Sequence, residues 1–434
     1  MNTRDTTPPS APTPVPASRP RHAGFRRFGP PALGVLAVAV AVVVAVSWGK
    51  TLDERHRPLA FDESFDFAGG SFADYLAYAQ RRLRAAHPEA DDATIANLAP
   101  FRLAPREGCP PGTDTPYPNG VLLTHDLLET PYGMRSIGAY LAERCMLVYG
   151  LLLPGHGTRP GDLLEAGSAD WIAAEDFATR ELAREAQNLY LGGHGIGGTL
   201  SILEAAGNAD IDGLILFAPE MSTRPAAGGR WLAPLGKLIP AARWAEVVPP
   251  FSTYYYDSRP WRSDDEVDRL VETMQAALPT RPFEVPVLTI VSAADATVSV
   301  PDVLAYAAER VHPLSVTLVY GQDYLPEPVS WLQPFPELAD MGLSHRGLMV
   351  PPYDPEFGEN GSSRDCGHYF RRDDEAYKRC MAMERTLLGE VNADNLAAGL
   401  LERAAYNPDY HGELTRQIEN FVYPATGLRR RSAR

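Results

Sequence analysis

A glycine-rich segment, GHGIGG at 193–198, is the feature of this sequence whose spacing points most directly to chemistry. It follows an apolar run and precedes a helix-like stretch, so its backbone N–H groups would face a ligand at a helix N-terminus. Further along the chain, Asp295 and His345 each follow an apolar run. A carboxylate that orients an imidazole forms a general acid–base pair, which is the second kind of chemistry that these residue types allow.

The elements that must position these groups are strands alternating with helices. Strand-like apolar runs occupy 121–124, 146–152, 188–191, 213–217, 287–291 and 316–320, and helix-like stretches occupy 134–144, 170–186, 196–206 and 301–310. This alternation predicts right-handed βαβ units and a mostly parallel sheet covered by helices on both faces. The interval 222–282 is too long for an ordinary connection and predicts an inserted helical cap over the strand ends, which would shape a ligand pocket.

Four segments, in this order, resemble the α/β-hydrolase superfamily, in the branch of serine-aminopeptidase-like and monoacylglycerol-lipase-like esterases. They are GVLLTHDLLETPYGMRSIGAYLAERC, LLPGHGTRPGDLL, ADWIAAEDFA and LYLGGHGIGG, and the resemblance extends over residues 118–350. It implies an α/β-hydrolase fold with a nucleophile elbow, G-x-S-x-G, followed along the chain by a triad acid and a triad histidine. On this resemblance, Asp295 in the pattern Asp-x-x-Val is the acid and His345 is the histidine.

The elbow departs from the family at its central residue. Gly195 stands at the nucleophile position, and glycine has no hydroxyl that could be acylated. Ser201 lies almost two helical turns further on and cannot substitute for it. Covalent serine catalysis therefore lacks its nucleophile, and we interpret His194, directly before Gly195, as a pocket residue.

The oxyanion loop departs from the family as well. Where the family has His-Gly, this chain has His125-Asp126-Leu127. We expect the backbone N–H groups of Leu127 and Ile196 to serve a developing oxyanion and the carboxylate of Asp126 to oppose its charge. Two departures at one site indicate lost or changed chemistry. Restoring the serine at Gly195 is expected to give weak esterase activity, which Asp126→Gly should improve.

Three functions are compatible with these residues. The first, which we expect, is a non-catalytic or weakly active protein that holds a small acyl, ester or peptide-like ligand in the capped pocket. The second is a hydrolase in which the His345–Asp295 dyad activates water without an acyl-enzyme. The third is an oxidoreductase that binds a nucleotide at GHGIGG, with Glu220 about 20 residues further on. We expect no cofactor and no metal.

The N-terminal region predicts a membrane anchor. Residues 1–30 are rich in Pro, Ser and Thr and carry five arginines against one aspartate, which predicts a disordered basic tail. The segment 31–49 lies in an uncharged window of 22 residues. Such a helix is about 33 Å long and fits a bilayer core. Arg26 and Arg27 predict a cytoplasmic N-terminus and a periplasmic or extracellular main domain. A cleavable signal peptide is the alternative.

The charge and the cysteines agree with an exported domain. A net charge of −15 argues against a nucleic-acid partner. Four cysteines fit two disulfides. We expect Cys366 to pair with Cys380, because they bracket a 13-residue segment without a core pattern, and Cys109 to pair with Cys145. Four free thiols are the alternative.

The expected organisation is one transmembrane helix followed by an α/β-hydrolase fold. The divisions are the tail (1–30), the anchor (31–49), an N-terminal extension (50–104), a core in two parts (105–221 and 283–350) around the cap (222–282), and a C-terminal extension (351–434).

Overall fold

The computed structural model describes residues 50–423, with gaps. The gaps are 224–235, 237–238, 249, 251, 257, 279–284, 310–311, 364–374, 376–377, 380–381 and 383–404. The predicted tail and the predicted anchor lie outside the described residues. Within the described part of the chain, no helix combines the length and the apolarity needed to cross a bilayer.

The described strands form a seven-stranded sheet and a small two-stranded sheet. Their bounds in chain order are β1 Phe101–Leu103, β2 Tyr117–Thr124, β3 Leu147–Leu151, β4 Ala186–His194, β5 Ile211–Phe217, β6 Trp244–Glu246, β7 Arg259–Pro260, β8 Val287–Ser292 and β9 Val316–Tyr320. The large sheet has the order β1-β3-β2-β4-β5-β8-β9. All its neighbours are parallel except β1 and β3, and β6 pairs with β7 antiparallel.

The six strands that the apolar runs predicted are confirmed. Strands in the interior of a parallel sheet are covered on both faces and therefore read as continuous apolar runs. All five residues of β3 are buried, for example. The edge strand β1 was not predicted, because it has three residues of which only Phe101 is buried.

Helices cover both faces of the large sheet. Their bounds are α1 Phe72–Ala86, α2 Asp92–Leu98, α3 Arg135–Ala142, α4 Ser168–Ala183, α5 Ile196–Gly207, α6 Trp261–Ala277, α7 Val300–Ala308 and α8 Thr415–Val422. Gly120 in β2 faces α4, since an added Cβ would lie 2.8 Å from the Leu182 side chain. Position 121, the next along β2, faces the opposite side of the sheet, which α8 covers. Val121 is in register with Tyr190, whose hydroxyl donates to the Val422 carbonyl of α8 at 3.4 Å.

The predicted cap interval, 222–282, is inserted between the neighbouring strands β5 and β8. Its described part is not wholly helical, because it contains β6 and β7 as well as α6. Helix α6 packs on α4 and α5. Residues 252–256 lie against the loop that follows β2. There the Tyr256 N–H donates to the Leu128 carbonyl at 2.8 Å, and Tyr254 stacks on Tyr132 with ring centroids 4.2 Å apart. The insertion thus supports the loop after β2.

The N-terminal extension, residues 50–104, packs against the core of the sheet domain. Helix α1 begins at a capping box, in which Ser71 accepts the Asp74 N–H and the Asp74 side chain accepts the Ser71 N–H. Its buried Phe72 stacks on Tyr149 of β3 with ring centroids 3.9 Å apart. This packing anchors the extension to the sheet.

Candidate functional site

The chain turns sharply between β4 and α5 at Gly195. Its backbone angles are φ 50° and ψ −116°, and a positive φ of this kind favours glycine. The neighbouring glycines permit close approach. An added Cβ at Gly193 would lie 2.1 Å from the carbonyl carbon of Gly197, and one at Gly197 would lie 2.2 Å from the Thr124 carbonyl oxygen. The GHGIG segment therefore forms the strand–turn–helix elbow that the resemblance implied.

The side chain of Asp126 fills the space that a side chain at position 195 would need. A Cβ on Gly195 would lie 1.9 Å from Oδ1 of Asp126 and 2.1 Å from its Cγ. The Ile196 N–H, in the first turn of α5, donates to the same Oδ1 at 2.7 Å. Because a helix N-terminus stabilises negative charge, the carboxylate lies in a favourable anion site. The Ile196 N–H, expected to serve an oxyanion, already has this partner. Leu127 is half-buried against the core.

His345 lies between two carboxylates. Its Nδ1 is 2.7 Å from Oδ2 of Asp295, and its Nε2 is 3.2 Å from Oδ2 of Asp126. Asp295 is fixed in the turn after β8, where its Oδ1 accepts the N–H groups of Thr297 and Val298 at 2.7 and 3.2 Å. The expected acid–base pair is thus assembled, and a second carboxylate occupies the position from which a serine hydroxyl would face Nε2.

The charges in this cluster stabilise one another. Burial lowers the pKa of His345, but the charge of Asp295 and the hydrogen bonds with Asp126 and Asp295 outweigh it and hold this pKa well above the ordinary histidine value. Burial raises the pKa of Asp126, but its hydrogen bond with His345 and the charge of His345 outweigh that effect, so this pKa lies below the ordinary aspartate value. The resting site is therefore an imidazolium held between two carboxylates.

A second histidine–carboxylate pair supports the first. Nδ1 of His194 is 3.0 Å from Oε2 of Glu129, and the same oxygen accepts the Asp126 N–H at 3.3 Å. Nε2 of His194 donates to the His345 carbonyl at 3.2 Å, and the two imidazole rings lie 4.2 Å apart. Glu129, which sequence reasoning did not single out, therefore connects the Asp126 loop with the elbow and, through His194, with His345.

Asp126, His194 and His345 present donor atoms within 4.8 Å of one another, a spacing that a metal ion could bridge. Each ring nitrogen of the two histidines already contacts an oxygen atom of the chain. A metal ion would also have to replace the positive charge of His345 between its carboxylates. We therefore interpret this group as a charge-paired cluster rather than as a metal site.

His125 shapes the loop after β2. Its Nδ1 donates to the Asp126 carbonyl at 2.7 Å, and its Nε2 accepts the Leu153 N–H at 3.0 Å. Burial lowers the pKa of His125 to about 3, so the ring is neutral at physiological pH. Since both ring nitrogens bind backbone groups, His125 positions the main chain of Asp126.

The structure contains the disulfide between Cys109 and Cys145, with Cα atoms 5.4 Å apart. It joins the segment before β2 to the chain just before β3. Cys366 and Cys380 lie outside the described residues. Their pairing stays a prediction, which mass mapping of non-reduced peptides can check.

The role of Asp126 is the feature that sequence reasoning missed. The sequence predicts that the Asp126 carboxylate opposes an oxyanion, whereas in the structure it lies where the nucleophile's side chain would be. The sequence did contain a signal for this role. Relative to the family pattern, Gly195 lacks a side chain, and a second loop of the same site has gained a carboxylate. Only the structure shows that the Asp126 carboxylate occupies the space that a side chain at position 195 would need.

The chain has partial similarity to known lipolytic proteins. No family model matches the chain. Over 98 residues, 23% of the chain, it is 33% identical to a thermostable monoacylglycerol lipase of Bacillus sp. (strain H-257), and the match spans 39% of that protein's length. Among solved structures, it is similar to a metagenome-derived lipolytic enzyme (19% identity, TM-score 0.43, 51% of this chain and 87% of that one). It is also similar to the monoacylglycerol lipase of Paleococcus ferrophilus (18% identity, TM-score 0.39, the same shares). The strand order and the elbow are those of an α/β-hydrolase fold.

Proposed function

We propose that this chain is a membrane-anchored α/β-hydrolase-fold protein that binds a small acyl, ester or peptide-like ligand and forms no acyl-enzyme with carboxylic esters. The observation that supports this most directly is the Asp126 carboxylate in the place of a nucleophilic hydroxyl. A serine esterase needs a hydroxyl facing a neutral imidazole and N–H groups that are open to an oxyanion. At rest this site offers an imidazolium at His345 and an occupied N–H at Ile196.

Ser201 does not take over the missing role. Ser201 is fully buried in α5, and its Oγ donates to the Gly197 carbonyl one turn earlier at 3.0 Å. Its other partner is the carboxyl group of Glu175, at 3.4 Å. Ser201 is therefore a helix residue in the core, as its distance along α5 from the elbow predicted.

Water activation by the His345–Asp295 dyad is disfavoured by the same cluster. A general base needs an unprotonated nitrogen that faces water. Nε2 of His345 faces Asp126 instead, and the raised pKa keeps its proton in place. The dyad could act on water only after the Asp126 carboxylate had moved or lost its charge.

Nucleotide binding at GHGIGG is disfavoured by occupancy of the helix N-terminus. A pyrophosphate would need the N–H groups at the start of α5. The Ile196 N–H already binds the Asp126 carboxylate, and a second anion beside it would be repelled.

The ligand class and the anchor rest on separate grounds. The relative matched over 98 residues is named as a monoacylglycerol lipase, so a lipid-derived ester or acyl group is the ligand we propose. The anchor rests on the uncharged 22-residue window ending at 49 and on the arginines before it. A membrane-anchored pocket would be placed next to a source of such ligands.

Labelling with a fluorophosphonate probe tests the catalytic part of the proposal. The full chain and its Asp126→Gly variant should stay unlabelled, because neither has a nucleophilic hydroxyl at the elbow. The double variant Asp126→Gly with Gly195→Ser should be labelled and should hydrolyse p-nitrophenyl butyrate. The matched control, Asp126→Gly with Gly195→Ala, differs from it only by the hydroxyl and should do neither.

Two outcomes would contradict the proposal. Labelling of the unaltered chain that disappears in His345→Gln would reveal a serine-type nucleophile that the site does not show. A folded double variant that is neither labelled nor active would mean that His345 and Ile196 are not placed for acyl transfer.

A further inference from the structure

We propose that a polar cavity lined by Arg55 and Arg159 binds a phosphate group, carried either by a small polar alcohol such as glycerol or by a phospholipid headgroup. This site goes beyond the proposed function, since neither Asp126 nor His345 lines the cavity and its ligand is an anion. The proposal rests on two guanidinium groups that line one cavity, one of which has no carboxylate partner among the described residues.

Five parts of the chain line this cavity, which has a volume of about 540 Å³. They are residues 54–55, residues 86–87 at the end of α1, the loop 158–160, residues 250–256 of the insertion, and Glu356 with Ser363. Small-molecule sites commonly have volumes of about 300–1,000 Å³. The first, second and last of these parts lie outside residues 118–350, over which the sequence resembles the hydrolases. The cavity therefore depends on the two extensions of this chain and is separate from the site at the elbow.

Contacts between the walls hold the cavity open in a defined shape. A Cβ added at Gly161 would lie 2.3 Å from the carbonyl carbon of Arg57, so the segment that carries Arg55 packs closely on the loop that carries Arg159. The Ser252 hydroxyl donates to Oε1 of Glu356 at 2.8 Å and joins the insertion to the C-terminal extension. The cavity is thus formed without a ligand, which lowers the cost of binding one.

Arg159 is half-buried, and no described carboxylate forms an ion pair with it. The acidic residue nearest to it along the chain, Asp162, already has other partners. Its Oδ2 accepts a hydrogen bond from Arg82 at 2.8 Å, and its Oδ1 accepts the Leu59 N–H at 2.6 Å. The guanidinium of Arg159 therefore brings a positive charge to the cavity that the described carboxylates do not neutralise.

The neighbouring lining residue His87 responds to this charge. Burial lowers the pKa of His87, and the positive charge of Arg159 lowers it further. These effects outweigh the hydrogen bond that Nε2 of His87 donates to the Gly157 carbonyl at 2.8 Å. His87 is therefore neutral at physiological pH and adds no third charge to the cavity.

Arg55 supplies the second guanidinium group. Its Nε and Nη2 bind Oδ2 of Asp53 at 3.1 and 2.9 Å, while its Nη1 has no hydrogen-bond partner among the described residues. Two carboxylates also line the cavity. Glu54 is exposed, so solvent and salt screen its charge. Glu356 accepts hydrogen bonds from serine hydroxyls, which stabilise its charge within the wall. The guanidinium groups are thus the charged groups left to bind a ligand.

A phosphate group suits this arrangement better than a carboxylate does. Its oxygens point in four directions, so two guanidinium forks can bind it at the same time, whereas a carboxylate offers its oxygens in one plane. The lining also includes Thr158, Ser252 and Thr253, whose polar side chains suit a glycerol-like alcohol better than an acyl chain. The ligand class is therefore a phosphate ester of a polar alcohol.

Isothermal titration calorimetry of the full chain in detergent, with glycerol 3-phosphate as the probe, tests the site. Arg159→Gln and Arg55→Gln should each weaken binding by about tenfold or more, the loss expected for one charged hydrogen bond. Glu54→Gln should tighten binding, because it removes a negative charge from the lining and keeps both guanidinium groups. A misfolded chain could not produce that gain.

The matched control is Arg180→Gln, which removes an arginine from an exposed ion pair with Asp176 on α4 and should bind like the unaltered chain. Affinity that is unchanged in Arg159→Gln would overturn the proposal, and so would weaker binding by Glu54→Gln. Absence of binding by glycerol 3-phosphate, inorganic phosphate and dihexanoyl phosphatidylglycerol would overturn it as well. None of these results bears on the fluorophosphonate experiment.

Competition identifies the source of the phosphate group. Displacement of glycerol 3-phosphate by dihexanoyl phosphatidylglycerol would support the site and assign it to a phospholipid headgroup. Binding of glycerol 3-phosphate that this lipid does not displace would support the site and assign it to a soluble phosphate ester.

Discussion

Replacing Gly195 by serine measures how strongly position 195 and Asp126 exclude each other. The new Cβ would lie 1.9 Å from Oδ1 of Asp126, so the carboxylate must leave its place. Two costs follow. A residue with a side chain held at this positive φ costs about 1–3 kcal/mol. Losing the charged hydrogen bond from Ile196 costs about 1.5–3 kcal/mol. Gly195→Ser should therefore lower the free energy of unfolding by about 2.5–6 kcal/mol.

In the Asp126→Gly background the same substitution should cost less. No carboxylate has to move, so only the backbone strain of about 1–3 kcal/mol remains. The difference, about 1.5–3 kcal/mol, is the coupling energy between the two positions, and contacting residues show values of this size. Gly195→Ala should cost the same as Gly195→Ser in each background, because the Cβ and not the hydroxyl causes the overlap.

The assay is urea unfolding of the full chain in detergent, followed by the fluorescence of the buried Trp171 and Trp244. Equal costs of Gly195→Ser in the two backgrounds would refute the reasoning, because the carboxylate would then not fill the space at position 195. The structure also revises the expectation for activity. Gly195→Ser alone should leave the site blocked, and ester hydrolysis should appear only when Asp126 is removed as well.

Three further predictions concern the covalent, electrostatic and topological features of the chain. The Cys109–Cys145 disulfide closes a separation of 36 residues. Replacing both by serine should lower the free energy of unfolding by about 3–4 kcal/mol, and an unchanged urea midpoint would contradict this. Because the folded-state pKa of His345 is raised, its stabilisation is fully present below about pH 6.5 and is lost as the pH rises through the raised value. The stability difference between the unaltered chain and His345→Gln should thus shrink towards alkaline pH, and a constant difference would be inconsistent with an imidazolium. A periplasmic reporter enzyme fused after Arg434 should be active, whereas activity of a cytoplasmic reporter there would refute the predicted topology.

Much of the fold could be predicted from the sequence because strands in a parallel sheet are local features of it. Each interior strand must be apolar on both faces, so an apolar run identifies it without knowledge of its neighbours. The elbow glycines could also be recognised in the sequence. The backbones of the helix, the strand and the loop come so close there that a side chain would not fit, so the positions need glycine. The two-stranded sheet of β6 and β7 could not be predicted from the sequence. Its strands have three and two residues, which is too short to show an alternation of apolar and polar residues.

The candidate site also has a part that could be predicted from the sequence and a part that could not. The order of Gly195, Asp295 and His345 along the chain indicated which residues converge, and the structure shows Asp295 hydrogen-bonded to His345. The effect of Asp126 could not be predicted from the sequence. A carboxylate near the elbow can either repel a developing oxyanion or take the place of the nucleophile's side chain, and its distance from position 195 decides which. That distance depends on strand order.

Strands β2 and β4 are neighbours, with Thr124 in register with Gly193, so the loops that follow them meet although Asp126 and Ile196 are 70 residues apart. The sequence by itself therefore determined the six longer strands of the large sheet, the elbow and the missing hydroxyl at Gly195, all of which depend on local residue types. Only the tertiary structure decided that a carboxylate from the next loop takes the vacant space, because the position of a charge relative to a helix N-terminus and an imidazole is a property of packing.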